Sequence, residues 1–476
     1  MTARPRPRRR LSITLAAVLA ASFMVVAPGS APATLAASAT PAAPAPRAPE
    51  AAPDPATTIV GTSAIIPGSV DRTSVNLGAT YAVVLALRYE SRSFAVNSTA
   101  LITNTSGGPI DRVELNTIAA RLGGMVVRRV EVDGIAVTGR VRDQTIIVPL
   151  GGILPAGATV RVRVQYRATL RSTLGGSNWL FTKVNGIVDA YRWIPWVSRE
   201  IPFDRPNHGD PFVTPVSPSV KLRVETDRRL VIASTADRVS VSADGLTQWF
   251  EATNVRDVTL TAAPDFRSRS VLVGSVRVRY YYRSSTNAAT ILDAAADAVR
   301  AYQSRLGAYP YPTFKVVQSA GGYGMESPGL IWIPYGVGRA NLRYLVAHET
   351  AHQWLYGLVG NDQARQPFAD EATADFLARE MTGTRRASRC ASGALDRTIY
   401  AYSSACYYEI VYIQGGNLLN EARRRMGTAV FWAALREYVA DHRYGITGTK
   451  TLLQALDDAT PVNLSRLFAP RFPRYY

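Results

Sequence analysis

The chain has 476 residues, 47 % hydrophobic and 19 % charged, enough apolar material for two or three buried cores and too much for a disordered chain. Lys and Arg outnumber Asp and Glu by 54 to 36, a net charge of +18. The arginines are nevertheless spread singly through segments such as VRVRVQYRATLR, and no recognition helix, finger or RNA-binding signature accompanies them. This argues for no nucleic-acid partner, and leaves a basic surface suited to loose association with an anionic cell envelope. Two cysteines are too few for zinc fingers or iron–sulfur centres.

The chain opens with MTARPRPRRR, which holds five arginines and no acid, followed by LSITLAAVLAASFMVVA, an apolar run of 17 residues. Small-residue sites follow at Ala31-Pro32-Ala33 and Ala37-Ser38-Ala39. This pattern predicts a secretory signal over 1–33 and an exported protein, secreted or associated with the cell envelope. The run is slightly short for a membrane span, so an uncleaved N-terminal anchor is the alternative. Residues 34–70, dominated by Ala, Pro and Thr, read as a solvated linker. In an oxidising compartment Cys390 and Cys406 are expected to pair, closing a loop of about 15 residues worth roughly 3 kcal/mol; two reduced thiols are the other reading.

Residues 71–270 alternate with period two in short β-branched runs (YAVVLALRYE, QTIIVPL, TVRVRVQYRATL, DVTLTAAPDF) broken by Gly, Pro, Asn and Asp. They predict an antiparallel β domain. The period then lengthens. In NAATILDAAADAVRAYQSRLG the apolar positions Ile291, Ala294, Ala295, Val299 and Tyr302 define one helix face, with Gly307 as its stop. Residues 271–476 are read as a second, mainly helical domain.

That domain contains LRYLVAHETAHQWLYGLVGN, which holds two of the chain's four histidines. His348 and His352 are four apart, so on a helix their imidazoles stack on one face and can share one metal ion. With Glu349 between them they form H-E-x-x-H, in which the histidines ligate Zn²⁺ and the glutamate acts as general base. Leu345, Val346, Leu355 and Leu358 flank the motif with the apolar casing that a dry metal site needs. A catalytic zinc takes three protein ligands and keeps one position open. Glu371, after 18 intervening residues in PFADEATADF, is the candidate third ligand. Asp375, four residues on, is placed to accept the second ring N–H of a liganding histidine.

H-E-x-x-H, 18 residues, then E resembles the gluzincin aminopeptidases of the aminopeptidase N family. GAYPYPTFKVV, GYGMESPGLIWIP, VGNDQARQPFADEATADF and VYIQGGNLLNEARRRMG resemble further stretches of that family in the same order, and YRWIPWVSRE with GDPFVTPVSPSVKLRVE resembles strands of its β domain. The likeness runs from about residue 75 to 460. It implies an N-terminal β-sheet domain followed by a thermolysin-like peptidase domain, one Zn²⁺ per chain, and removal of N-terminal residues from peptides with a free N-terminus.

The resemblance also implies roles. Tyr412 matches the tyrosine that stabilises the tetrahedral oxyanion, with Tyr402, Tyr407 and Tyr408 as rivals for the part. Glu326 matches the glutamate that pairs with a substrate's α-ammonium, and Met325 and Gly324 lie in the segment aligned along the peptide. Ser327 stands where the family usually has asparagine, and Gln414 where it usually has lysine. The chain resembles a short form without the large C-terminal helical domain of many members, which implies a more open cleft. Two other readings stand beside this one: a zinc endopeptidase that does not rely on Glu326, and a non-catalytic surface-binding module that keeps the fold.

Overall fold

The period-two sequence becomes period-two burial. In the strand Thr159–Thr169, Val160, Val162, Val164 and Tyr166 enter the core while Arg161 and Arg167 face outwards. The computed structural model describes residues 63–198 and 212–476; the signal over 1–33 and all but the last residues of the linker over 34–70 lie outside the described residues. Among the described residues no helix is long and apolar enough to cross a membrane.

The largest sheet has eight strands, and its neighbours pair antiparallel with one exception. Gly78–Arg88 and Ser93–Thr103 pair along their whole length, from Gly78 opposite Thr103 to Arg88 opposite Ser93. On its other side Gly78–Arg88 runs parallel to Val220–Thr226, with Tyr81 opposite Val220. Parallel neighbours need a long crossover, and most of the β domain is built within that connection. Among the described residues this part of the molecule also holds two sheets of four strands.

A five-stranded sheet starts the second part at Arg267–Val273 and continues through Val276–Tyr282, Thr313–Ser319, Leu330–Pro334 and the edge strand Met325–Ser327. The helix Ala288–Leu306 makes the crossover between the parallel strands Val276–Tyr282 and Thr313–Ser319. It ends where the sequence predicts, because Gly307 adopts φ 104°, a conformation that side-chain-bearing residues rarely enter. Residues beyond Pro334 are mainly helical, and Arg339–Ala351 carries the histidines.

Buried polar contacts join the β domain to the end of the histidine helix. Arg256, 1 % exposed, donates to Gly357 O at 3.3 Å, Leu358 O at 3.2 Å and Gly445 O at 3.2 Å. Beside it, the Tyr356 hydroxyl donates to Asp257 and accepts from Arg192 Nη2 at 2.6 Å. Tyr356 holds φ 130°, a strained value for an aromatic residue that this buried network maintains.

Cys390 and Cys406 are bridged, with Cα atoms 5.9 Å apart. A loop this short constrains the unfolded chain by about 3 kcal/mol. Replacing both cysteines by serine should therefore lower Tm by several degrees in calorimetry. A Tm unchanged within about a degree would show that native hydrogen bonds alone hold the loop.

Candidate metal centre

Two turns of helix present the histidines and a third segment brings the carboxylate. His348 lies in the last turn of Arg339–Ala351 and His352 caps it with φ −63° and ψ −10°, so the helical i, i+4 spacing survives to the second imidazole. The helix is held in place by Tyr302, whose hydroxyl donates to Ala347 O at 3.0 Å. His348 and His352 face each other with Nε2 atoms 3.2 Å apart, and Glu371 Oε2 lies 3.3 Å from His348 Nε2 and 3.5 Å from His352 Nε2. Ligand bonds of 2.0–2.2 Å in a tetrahedral arrangement put neighbouring donor atoms about 3.3–3.5 Å apart, so this triangle has the edges of a zinc site. Glu371 Oε2 is also buried without a hydrogen-bond donor of its own. The donor set of two imidazoles and a carboxylate fits Zn²⁺.

His352 is fixed by Asp370 and by Leu355 O, not by Asp375. Its Nδ1 lies 2.7 Å from Asp370 Oδ1 and 3.2 Å from Leu355 O, which makes Nδ1 the protonated nitrogen and leaves Nε2 free to ligate. Gln363 in turn donates to the other Asp370 oxygen and, at 3.4 Å, to Glu326 Oε1.

The expected role of Asp375 is corrected here. Asp375 accepts the Tyr344 hydroxyl at 2.5 Å and pairs with Arg379 Nε at 2.8 Å, while no protein group among the described residues bonds to His348 Nδ1. The cause is local: Phe368–Ala372 forms a π turn before the α-helix Thr373–Thr382 begins. The wider turn breaks the i, i+4 alignment on which the expectation rested.

Glu349, fully on the helix and 4 % exposed, points across to the edge strand. A Cβ on Gly324 would collide with the Glu349 carboxylate and come within 2.9 Å of Leu345 Cδ1, so a larger residue there displaces the carboxylate. Glu326, Glu349 and His352 offer polar atoms within 4.8 Å of one another. This second group shares His352, whose Nε2 already faces His348, so a cation there belongs to the triangle described above. Met325 lies elsewhere: its side chain is 4 % exposed and packs in the β-domain core opposite Trp332, so only its backbone can meet a peptide.

Tyr412 is drawn from the π turn Glu409–Gln414. Its ring stacks on His348 with centroids 5.6 Å apart and meets the Tyr407 ring edge-on with centroids 5.8 Å apart. Of its rivals, Tyr408 bonds to Tyr344 and Arg379, and Tyr402 to Ala394 O. Burial first, then the charge of Glu371, raises the Tyr412 hydroxyl well above its ordinary value and keeps it a donor.

Burial likewise pushes Glu326 up to about 8, aided by Asp370 and Glu371 and opposed by His352, and raises Glu349 well above the carboxylate range. Glu371 is held well below it: burial opposes ionisation, but the two imidazoles beside it outweigh that. Asp370 and Gln363 were not singled out in the sequence. Asp370 alone had a signal, its position next to the third ligand.

Compared by sequence, the chain matches no protein-family model and no curated protein. By structure it is similar to the M1 zinc metallopeptidase of Deinococcus radiodurans, with TM-score 0.66 and 19 % identity over 87 % of this chain and 97 % of that one. A mutant of that enzyme bound to a Tyr-Ser-Ala substrate gives TM-score 0.64 and 18 % identity over 86 % and 96 % of the chains. A two-domain M1 zinc metallopeptidase mutant bound to L-arginine gives 0.63 and 19 % over 83 % and 93 %. The fold of this chain is the M1 zinc metallopeptidase fold, a β-sheet domain followed by a helical peptidase domain.

The two aspartates separate in a metal-binding measurement. Asp370→Ala should weaken zinc binding by about 10–100-fold, the usual effect of losing the carboxylate behind a ligating histidine. Asp375→Ala should leave zinc affinity within about threefold and destabilise the fold by about 3–5 kcal/mol, because Arg379 loses its buried partner. The reverse pattern would restore Asp375 as the carboxylate behind the histidine.

Proposed function

We propose that the chain is a zinc-dependent peptidase that removes N-terminal residues from peptides. The observation that carries this reading is the triangle of His348, His352 and Glu371 with Glu349 and Glu326 both within the same few ångströms. His348, His352 and Glu371 would hold the ion, and a zinc ion bound there supplies Lewis acidity to a scissile carbonyl and to a water molecule.

The chain's own groups divide the remaining work. Glu349 takes the proton from the attacking water as its oxygen bonds to the carbonyl carbon. The same carboxyl returns that proton to the amine nitrogen as the C–N bond breaks. A divalent charge held by the three ligands would favour the basic form of Glu349 that this task needs. Tyr412 donates a hydrogen bond to the developing oxyanion and keeps its proton, a contribution typically worth about 3–4 kcal/mol of barrier.

Glu326 sits at the end of the site, buried, on a sheet edge to which a peptide can add its own backbone. A substrate's α-ammonium satisfies this carboxylate; a blocked N-terminus leaves it desolvated and unpaired. The structural neighbours solved with Tyr-Ser-Ala and with L-arginine support the choice of peptides as substrates.

Export is part of the same proposal. It rests on the leader sequence over 1–33 and on the Cys390–Cys406 bridge, which is at home in an oxidising compartment. The excess of arginine suits contact with an anionic envelope.

Aminoacyl reporter amides with and without a free amine, and a blocked internal peptide, test the reading when each is assayed with and without chelator. Turnover of free-amine substrates alone, lost with chelator, is expected. Cleavage confined to blocked peptides would replace it with endopeptidase action, and no turnover in protein carrying one zinc would leave a binding module. Glu349→Gln should lower kcat by at least about 10³-fold while zinc content stays at one per chain. Gly324→Ala, which displaces the Glu349 carboxylate, should cut kcat/KM by about tenfold or more with the metal retained.

A further inference from the structure

We propose that Gln414, braced by Arg471 and by the loop 388–393, is a positioning residue that sets the Tyr412 hydroxyl at the metal centre. The inference rests on the reading of Tyr412 given above. A π turn is rare and local, and it persists where its surroundings demand it. The turn Glu409–Gln414 has such a demand at each end. Glu409, 2 % exposed, accepts from Arg386 Nη1 at 2.9 Å and Nη2 at 2.7 Å, and from Arg389 N at 2.9 Å and Nε at 2.8 Å.

Gln414, 9 % exposed, is more fully engaged. Its Nε2 donates to Ser388 Oγ at 3.0 Å, Cys390 O at 3.0 Å and Ala391 O at 2.9 Å. Its Oε1 accepts from Gly393 N at 3.2 Å and Arg471 Nη2 at 2.7 Å. Arg471 closes the circuit by donating to Gly393 O from Nε at 2.9 Å and Nη2 at 2.7 Å. The middle of the gripped loop is tied by the Cys390–Cys406 bridge to Cys406, whose carbonyl accepts from Ile410 N at 2.8 Å at the start of the Tyr412 segment.

One residue, Ile413, separates Gln414 from Tyr412, so the turn the clamp holds is the turn that stacks the Tyr412 ring on the metal-side His348, centroids 5.6 Å apart. An amide is the group the clamp calls for. It donates to two carbonyls that cannot donate back and accepts from a backbone N–H and a guanidinium, and no carboxylate or ammonium does both.

Gln414→Glu tests this, because it keeps the size and the accepting oxygen but turns the donor into an oxygen facing Cys390 O and Ala391 O. In zinc-loaded protein kcat should fall about tenfold or more while KM stays within about twofold. In the Tyr412→Phe background the same change should alter kcat by less than about twofold, because the hydroxyl it misplaces is already gone. Equal losses in both backgrounds, a wild-type kcat for Gln414→Glu, or loss of zinc in that variant would overturn the inference and leave the peptidase reading standing.

If Gln414→Glu does not accumulate as folded protein, Arg471→Met removes the brace from outside the turn, and the same cycle with the same non-additivity decides. A silent Tyr412→Phe would overturn both the inference and the oxyanion role, whereas a silent Glu349→Gln would sink the peptidase mechanism itself.

Discussion

Four carboxylates, from Glu326, Glu349, Asp370 and Glu371, share a buried space with two imidazoles, and that density of negative charge governs the rest of the site. In a low-dielectric pocket like charges this close cannot all stay ionised without a compensating cation. Burial and that crowding push Glu326 and Glu349 upward, while the two imidazoles hold Glu371 down. A divalent ion held at the triangle would supply positive charge and favour the ionised carboxylates. The chemistry proposed for Glu349 and the ammonium site proposed for Glu326 both call for those ionised forms.

The site is assembled where helices are irregular. Glu371 and Tyr412 both project from π turns, and those turns pack against each other. Close approach is possible because Gly415 and Gly416 open the second helix: a Cβ on Gly415 would lie 2.6 Å from Ala372 Cβ, and one on Gly416 2.7 Å from Asp375 Oδ2. The pair in VYIQGGNLL is therefore a packing requirement. It lets the helix with the third ligand and the helix following the tyrosine meet nearly backbone to backbone.

What could be read in the sequence was what depends on regular spacing. The i, i+4 histidines, the alternating valines and arginines of Thr159–Thr169 and the helix ending at Gly307 each follow from a fixed period. Where the period breaks, the sequence misleads: Asp375 is i+4 from Glu371, but the π turn gives the histidine to Asp370 instead. Gln363, Gln353 and Arg256 carry no spacing signal at all. Their partners lie from 7 to 189 residues away, and a lone polar residue in a sequence does not announce which group it will meet.

The β domain enters the site through the same strand that carries Glu326. Side chains alternate along Met325–Ser327, so with Glu326 turned to the metal side its neighbours turn the other way. Ser327 bonds to Asp257 and, at 2.8 Å, to Thr235, both in the β domain, and Met325 fills that domain's core. From the front, Gln353, the residue after His352, donates to Ser327 O at 3.0 Å and accepts from Gly329 N at 2.7 Å. The edge strand is thus gripped on one side by the β domain and on the other by the end of the histidine helix. The gap between Glu326 and the metal ligands is set by how the two parts of the molecule pack. Ser327, standing where a longer asparagine is usual in the similar family, is short enough to reach back to Asp257 without entering that gap.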